Sequence, residues 1–146
     1  MCPCHLQITD ILPYIEHHPY LVQKDLVDLA NEEGIAVIGY SSFGPLSFRE
    51  LQWQRALDTP DLFTHDIITT IAKMYQKTPA QVLLRWVTQR GIAVIPKSRS
   101  QRRLLENLDA FSFDMTEDEL KNISSLDRNI RFNNPVDYLG KLRIFA

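Results

Sequence analysis

Only two cysteines, Cys2 and Cys4, occur in 146 residues, with one residue between them. That spacing is too close for a structural disulfide and lacks the second pair that a zinc site needs. His5 beside them therefore reads as part of a reduced terminal tail rather than a metal ligand. Cationic excess is missing too: 16 Lys and Arg against 18 Asp and Glu leave a formal net charge of −2, which argues against a non-specific nucleic-acid binder. No apolar run approaches the roughly 20 residues needed to cross a bilayer. The first residues lack the charged and apolar regions of a secretory signal, so the chain reads as cytoplasmic. Repeats and low-complexity tracts are absent. What is present is 45% hydrophobic and 23% charged, the usage of an ordinary globular domain, over a length suited to one such unit.

Punctuation along the chain predicts alternating strands and helices. Tyr14-Ile-Glu-His-His-Pro-Tyr20 reads as a short strand stopped by Pro19, which has no N–H to give a ladder. Val22, Leu26, Leu29 and Ala30 recur at helical spacing, with Gly34 placed to end the helix in the left-handed region. Residues 35–38 form a continuous apolar strand of the kind found in parallel sheets with both faces covered. Tyr40 to Pro45 closes it and opens a polar loop to about residue 60.

Ile67, Ile68, Ile71, Ala72 and Tyr75 mark the inner face of a second helix. Thr78-Pro-Ala-Gln81 starts a third with a capping box and a proline at its first position. That helix turns Val82, Leu83, Trp86 and Val87 inward and stops at Gly91. A third strand over residues 92–95 leads to a helix over about 101–109. Thr116-Glu-Asp-Glu119 opens another helix, to about residue 126, followed by a polar and aromatic tail. This alternation is the βαβ signature.

The end of the third strand carries the most informative chemistry. Lys97, Arg99, Arg102 and Arg103 crowd the start of a helix, where the partial positive charge of unpaired amides disfavours cations. An anion resolves the conflict, and phosphate is the usual one at a helix N-terminus. Ligands in α/β sheets sit at strand C-termini, which is where this cluster falls. A solvated basic helix face is the alternative.

Several stretches together resemble the aldo-keto reductases, and most closely their fungal xylose (aldose) reductase branch. They are Ile15-Glu-His-His-Pro-Tyr-Leu21, Tyr40-Ser-Ser-Phe-Gly-Pro45, Lys77-Thr-Pro-Ala-Gln-Val-Leu-Leu-Arg-Trp86, Gln89-Arg-Gly-Ile-Ala-Val-Ile-Pro-Lys-Ser98, Phe113-Asp-Met-Thr116 and Arg131-Phe-Asn-Asn-Pro135. The resemblance covers residues 12–146; residues 1–11 read as an unrelated, disordered lead-in. It implies an α/β fold, a partial (β/α)8 TIM barrel comprising the last three β/α units with the C-terminal helix and loop. It implies a reductase of aldehydes or ketones that uses NADPH, with NADH as the second option, and an aldose such as xylose as the family substrate.

The roles implied by the resemblance fall on named positions. Tyr40 matches the aromatic that stacks on the nicotinamide and leaves one face free to deliver hydride. Ser41, Ser42, Phe43 and Gly44 match the loop over the pyrophosphate, and Glu50 an acidic contact to the adenosine ribose. Lys97 and Ser98 match the holders of the 2′-phosphate. Arg103 matches the arginine on the adenine, a task suited to a flat guanidinium. Glu106 and Asn107 match residues at the adenine edge, and Asn133 is the candidate contact to a sugar hydroxyl.

Two departures stand out. Arg99 replaces a common Asn, which on charge alone favours NADPH. Tyr14 replaces a Gln whose amide pairs with the carboxamide, and one hydroxyl does not reproduce an amide's donor and acceptor.

The family's acid, a tyrosine assisted by lysine, aspartate and histidine on earlier strands, has no matching motif here. His17 and His18 belong to a different motif and read as structural, so no catalytic residue is assigned. A three-stranded remnant leaves two sheet edges unpaired, which suits self-association or a partner supplying the missing strands. A non-catalytic binding fragment and a non-functional truncated product are the alternatives to an enzyme. A small carbonyl substrate is expected only in a complete barrel.

Overall fold

The computed structural model describes residues 13–134; the lead-in 1–11, with Cys2, Cys4 and His5, and the last residues of the tail lie outside them. Three short strands, β1 (Tyr14–Glu16), β2 (Val37–Tyr40) and β3 (Ile92–Val94), form one parallel sheet in the order β1-β2-β3. Helix α1 (Lys24–Glu32) connects the first two strands. Four helices, α2 (Leu46–Glu50), α3 (Gln54–Leu57), α4 (Asp66–Met74) and α5 (Pro79–Gln89), separate β2 from β3, and α6 (Gln101–Leu108) and α7 (Glu117–Ser124) follow.

The local signals act where the sequence puts them. Thr78 Oγ1 accepts from the Gln81 amide, and the Gln81 side chain accepts in return from the Thr78 amide at 2.9 Å, completing the capping box. Thr116 and Glu119 do the same for α7. Gly34 and Gly91 sit at φ +68° and +76°, a conformation that costs glycine little.

The strand bounds move. Residues 35–38 were expected to be β2, but the Ile35 amide still donates to Ala30 at 2.7 Å, closing α1. Pairing with β1 then carries the strand on to Tyr40, whose carbonyl accepts from the His17 amide at 3.0 Å. β3 stops at Val94, the last residue opposite β2. The expected loop to residue 60 holds α2 and α3 instead, braced by Arg49, whose guanidinium donates to Ala56 O at 3.0 Å and to Thr59 O.

One face of the sheet packs against helices in a core containing Val27, Val37, Ile68, Ile71, Leu83, Trp86, Ile92 and Ile123. Each such side chain contributes roughly 1.5–3 kcal/mol on burial. Trp86 is fully buried, and its indole N–H donates to Ser124 Oγ at 3.1 Å and to Leu120 O at 3.3 Å. On α1 the buried pair is Val27 and Ala30, while Leu26 and Leu29, expected inside, are exposed.

The other face corrects a second expectation. Tyr14, Ile38 and Ala93 stand in register across it, and Tyr14 and Ala93 are exposed, so among the described residues this sheet is not covered on both sides. Only its upper part is closed, by residues 130–134 of the tail. There Phe132 stacks on Phe48 at 5.5 Å and tilts against His18 at 5.1 Å in a second small core with Ala56 and Trp53.

Candidate functional site

Because β2 and β3 are parallel neighbours, the segments that leave their C-terminal ends emerge side by side. One is Tyr40 to Gly44, the other Lys97 to Ser100. The first turns sharply: Ser41 has φ +57°, and the Gly44 amide donates to its carbonyl at 2.8 Å. Gly44 itself lies at φ +62°, and a Cβ there would come within 2.6 Å of Leu62 Cδ1. Glycine is therefore demanded by both backbone and packing. Ser42 is buried, and Phe43 sets its ring edge-on to Phe63 at 5.4 Å, so this loop is anchored to the core.

In the second segment, Ser98 Oγ accepts from the Ser100 amide at 3.2 Å, and Ser100 caps α6 by accepting from the Arg103 amide at 3.5 Å. No acidic residue occupies the first turn of α6. Lys97, Arg99 and Arg103 are exposed, and no hydrogen bond or ion pair engages their side chains among the described residues. Arg102 differs: it pairs with Glu106 at 2.5 Å along the helix. Three unneutralised cations thus sit where the helix already presents amides, an arrangement that lowers its energy when an anion binds.

Tyr40, the last residue of β2, meets the tail. Its hydroxyl accepts from Asn133 Nδ2 at 3.2 Å, and its ring stacks on Tyr14 at 5.1 Å with 21° between planes. The structure therefore brings Tyr40, Tyr14 and Asn133 together, while the 41–44 loop and the 97–100 segment follow neighbouring parallel strands. Glu50 is exposed at the end of α2 and Asn107 is half-buried near the end of α6; neither leaves from a strand end.

Sequence reading passed over Glu16, Gln23 and Arg90. Glu16 is fully buried and accepts from the Phe132 amide at 2.8 Å, the Asn133 amide at 3.0 Å and His18 Nε2 at 3.0 Å. The signal was there: a carboxylate inside a buried strand has to be hydrogen-bonded. Gln23, held at φ +46°, donates to Glu16 O at 2.6 Å and accepts from Arg131 at 2.8 Å.

On the opposite face of β1, Arg90 Nη1 donates to His17 Nε2 at 2.9 Å, and the imidazole stacks on Trp86 at 5.0 Å and 6°. Burial first, then the charges of Arg90 and His18, lower the His17 pKa to about 3, leaving a neutral structural ring.

Comparison with known proteins adds the following. The model of the "Aldo/keto reductase family" matches residues 4–128. The chain is 60% identical over 131 residues to the probable NAD(P)H-dependent D-xylose reductase xyl1 of Aspergillus flavus, covering 90% of this chain and 41% of that protein. It is 62% identical over 122 residues to the protein of the same name in Aspergillus clavatus, covering 84% and 37%. To the NAD(P)H-dependent D-xylose reductase I,II of Candida tropicalis it is 57% identical over 124 residues, covering 85% and 38%. The chain thus spans about two fifths of the length of these relatives.

Proposed function

Because this chain belongs to the aldo/keto reductase family, we propose that its paired strand ends bind the dinucleotide of an NAD(P)H-dependent carbonyl reductase. The three-stranded parallel sheet is consistent with part of a (β/α)8 barrel, and we read it as the last three β/α units with the C-terminal helix and loop. The observation that carries the reading is the trio Lys97, Arg99 and Arg103, exposed and unneutralised among the described residues at the start of α6.

These residues fit a phosphate dianion. Lys97 and Arg103 would grip the 2′-phosphate, with Ser98 beside them, and Arg99 would add charge that favours NADPH over NADH. Ser41, Ser42, Phe43 and Gly44 would border the pyrophosphate, and Tyr40 the nicotinamide. Glu50, Glu106 and Asn107 would flank the adenosine; Glu106 would do so from its pair with Arg102. The bound cofactor's chemistry is hydride delivery to a carbonyl carbon. An aldose such as D-xylose, taken from the relatives' names, is the proposed substrate class, with Asn133 facing a sugar hydroxyl. We assign no proton donor among these residues, and propose nucleotide binding without turnover for this chain by itself, in the cytoplasm. Among the described residues, no helix is long and apolar enough to cross a membrane.

Binding of NADPH, followed by the fluorescence of its reduced ring, tests the reading. Removing two charge-assisted contacts in Lys97→Ala/Arg103→Ala is expected to weaken affinity roughly hundredfold, and Arg99→Asn to narrow the preference over NADH. Unchanged NADPH affinity in the folded double variant rejects the proposal.

A partner-binding reading has its own support. The outer edges of β1 and β3 are unpaired among the described residues, and Leu104, Leu105, Leu108 and Phe111 are exposed on and just after α6. Sedimentation velocity over a concentration series would show self-association; a monomer throughout counts against it.

A further inference from the structure

We infer that Glu16 is a positioning residue: its buried carboxylate latches the tail so that Asn133 is presented to the hydroxyl of Tyr40. Its bearing on the cofactor rests on the reading of Tyr40 as the ring that meets the nicotinamide.

Two of the contacts that build the latch join residues more than a hundred apart in sequence. Glu16 Oε1 accepts from the Phe132 amide at 2.8 Å and from His18 Nε2 at 3.0 Å, while Oε2 accepts from the Asn133 amide at 3.0 Å. Both oxygens are thus committed, and the residue is 0% exposed. Two successive amides on one carboxylate fix the direction of the chain at Asn133. From there Nδ2 reaches Tyr40 Oη at 3.2 Å.

The surroundings hold the two ends of this connection still. Phe132 is buried between Phe48 and His18. Tyr20 O accepts from the Ile130 amide at 2.9 Å, and Arg55 donates to Arg131 O at 2.7 Å. Gln23, spanning Glu16 O and Arg131, ties the latch strand to the tail a second time. Tyr40 is half-buried, and its ring also stacks on the exposed Tyr14. Its hydroxyl is the atom that Asn133 reaches, so the placement of the tail by Glu16 bears on the phenol end. Glu16 also stands opposite Tyr40 in the register of β1 and β2, so Asn133→Ala, which leaves Glu16 in place, is the variant that isolates the effect of the tail.

Glu16→Gln keeps the shape but replaces one acceptor oxygen by an NH2 facing an N–H donor. Asn133→Ala keeps the backbone bonds to Glu16 and removes only the link to Tyr40. The whole chain is used, with NADPH as the probe, and three quantities are read. In Glu16→Gln, hydrogen exchange at the Phe132 or Asn133 amide should lose its protection while amides of α5 keep theirs. The NMR resonances of the Tyr40 ring should shift the same way in both variants. NADPH should bind roughly fivefold or more weakly in both, the lower end of coupling between linked sites.

Retained protection at both amides in Glu16→Gln, or Tyr40 resonances unmoved in Asn133→Ala, overturns the latch. Should Glu16→Gln not fold, Asn133→Ala and the Tyr40 resonances decide alone. Wild-type protein that passes the exchange and resonance tests yet does not bind NADPH upholds the latch and refutes the nucleotide reading instead.

Discussion

Acid should unfold this protein through His17, and the size of the effect follows from its surroundings. The imidazole is fully buried between Trp86 and the Arg90 guanidinium, with His18 next along the strand. Arg90 Nη1 donates to Nε2, so the ring's own proton sits on Nδ1, which has no partner among the described residues. A second proton would put a cation in a low-dielectric site beside another cation. The pKa accordingly falls from 6.5 to about 3.

The sign is set by which state binds the proton. Between about pH 6.5 and pH 3 the unfolded chain takes it up and the folded chain does not, so stability drops as pH falls. Each pH unit in that window is worth about 1.4 kcal/mol. From pH 6.5 down to about pH 4 the loss reaches about 3 kcal/mol, a large share of the 5–15 kcal/mol typical of a domain.

The control is His17→Gln, whose amide oxygen can still accept from Arg90 but does not titrate. It loses the stack on Trp86, worth about 0.5–1.5 kcal/mol, and should be the less stable protein at pH 7. Urea unfolding of both proteins between pH 7 and pH 4 gives the difference in free energy at each pH. That difference should shrink and then reverse as the wild type weakens. A gap that stays constant with pH would refute a neutral, buried His17.

Two substitutions probe other parts of the argument. Gly44→Ala puts a Cβ against the fully buried Leu62 at a left-handed φ and should cost about 2–4 kcal/mol from backbone strain and overpacking, read as a lower urea midpoint. Thr78→Ala removes the hydroxyl of the capping box and should cost about 1 kcal/mol; an unchanged thermal midpoint would mean that tertiary packing alone holds the start of α5.

What could be read without coordinates was whatever the chain decides over a few residues. The capping boxes at Thr78 and Thr116, the proline at the start of α5, the left-handed glycines at 34 and 91, and the inward face of α5 with Trp86 all follow from local hydrogen bonds and helical spacing. The crowd of cations after β3 was equally visible, because a helix N-terminus penalises positive charge wherever it occurs. Strand ends were not legible, since β2 stops where β1 stops pairing with it, at Tyr40 and His17. Nor were the exposed leucines of α1 and α6, because apolar spacing marks a face without saying what covers it.

The buried polar contacts depended most on the fold. Glu16 meets the amides of Phe132 and Asn133, and Arg90 meets His17, only after the chain has closed on itself. A sequence can announce that a buried carboxylate needs donors; which amides answer is decided by the path of the chain through space.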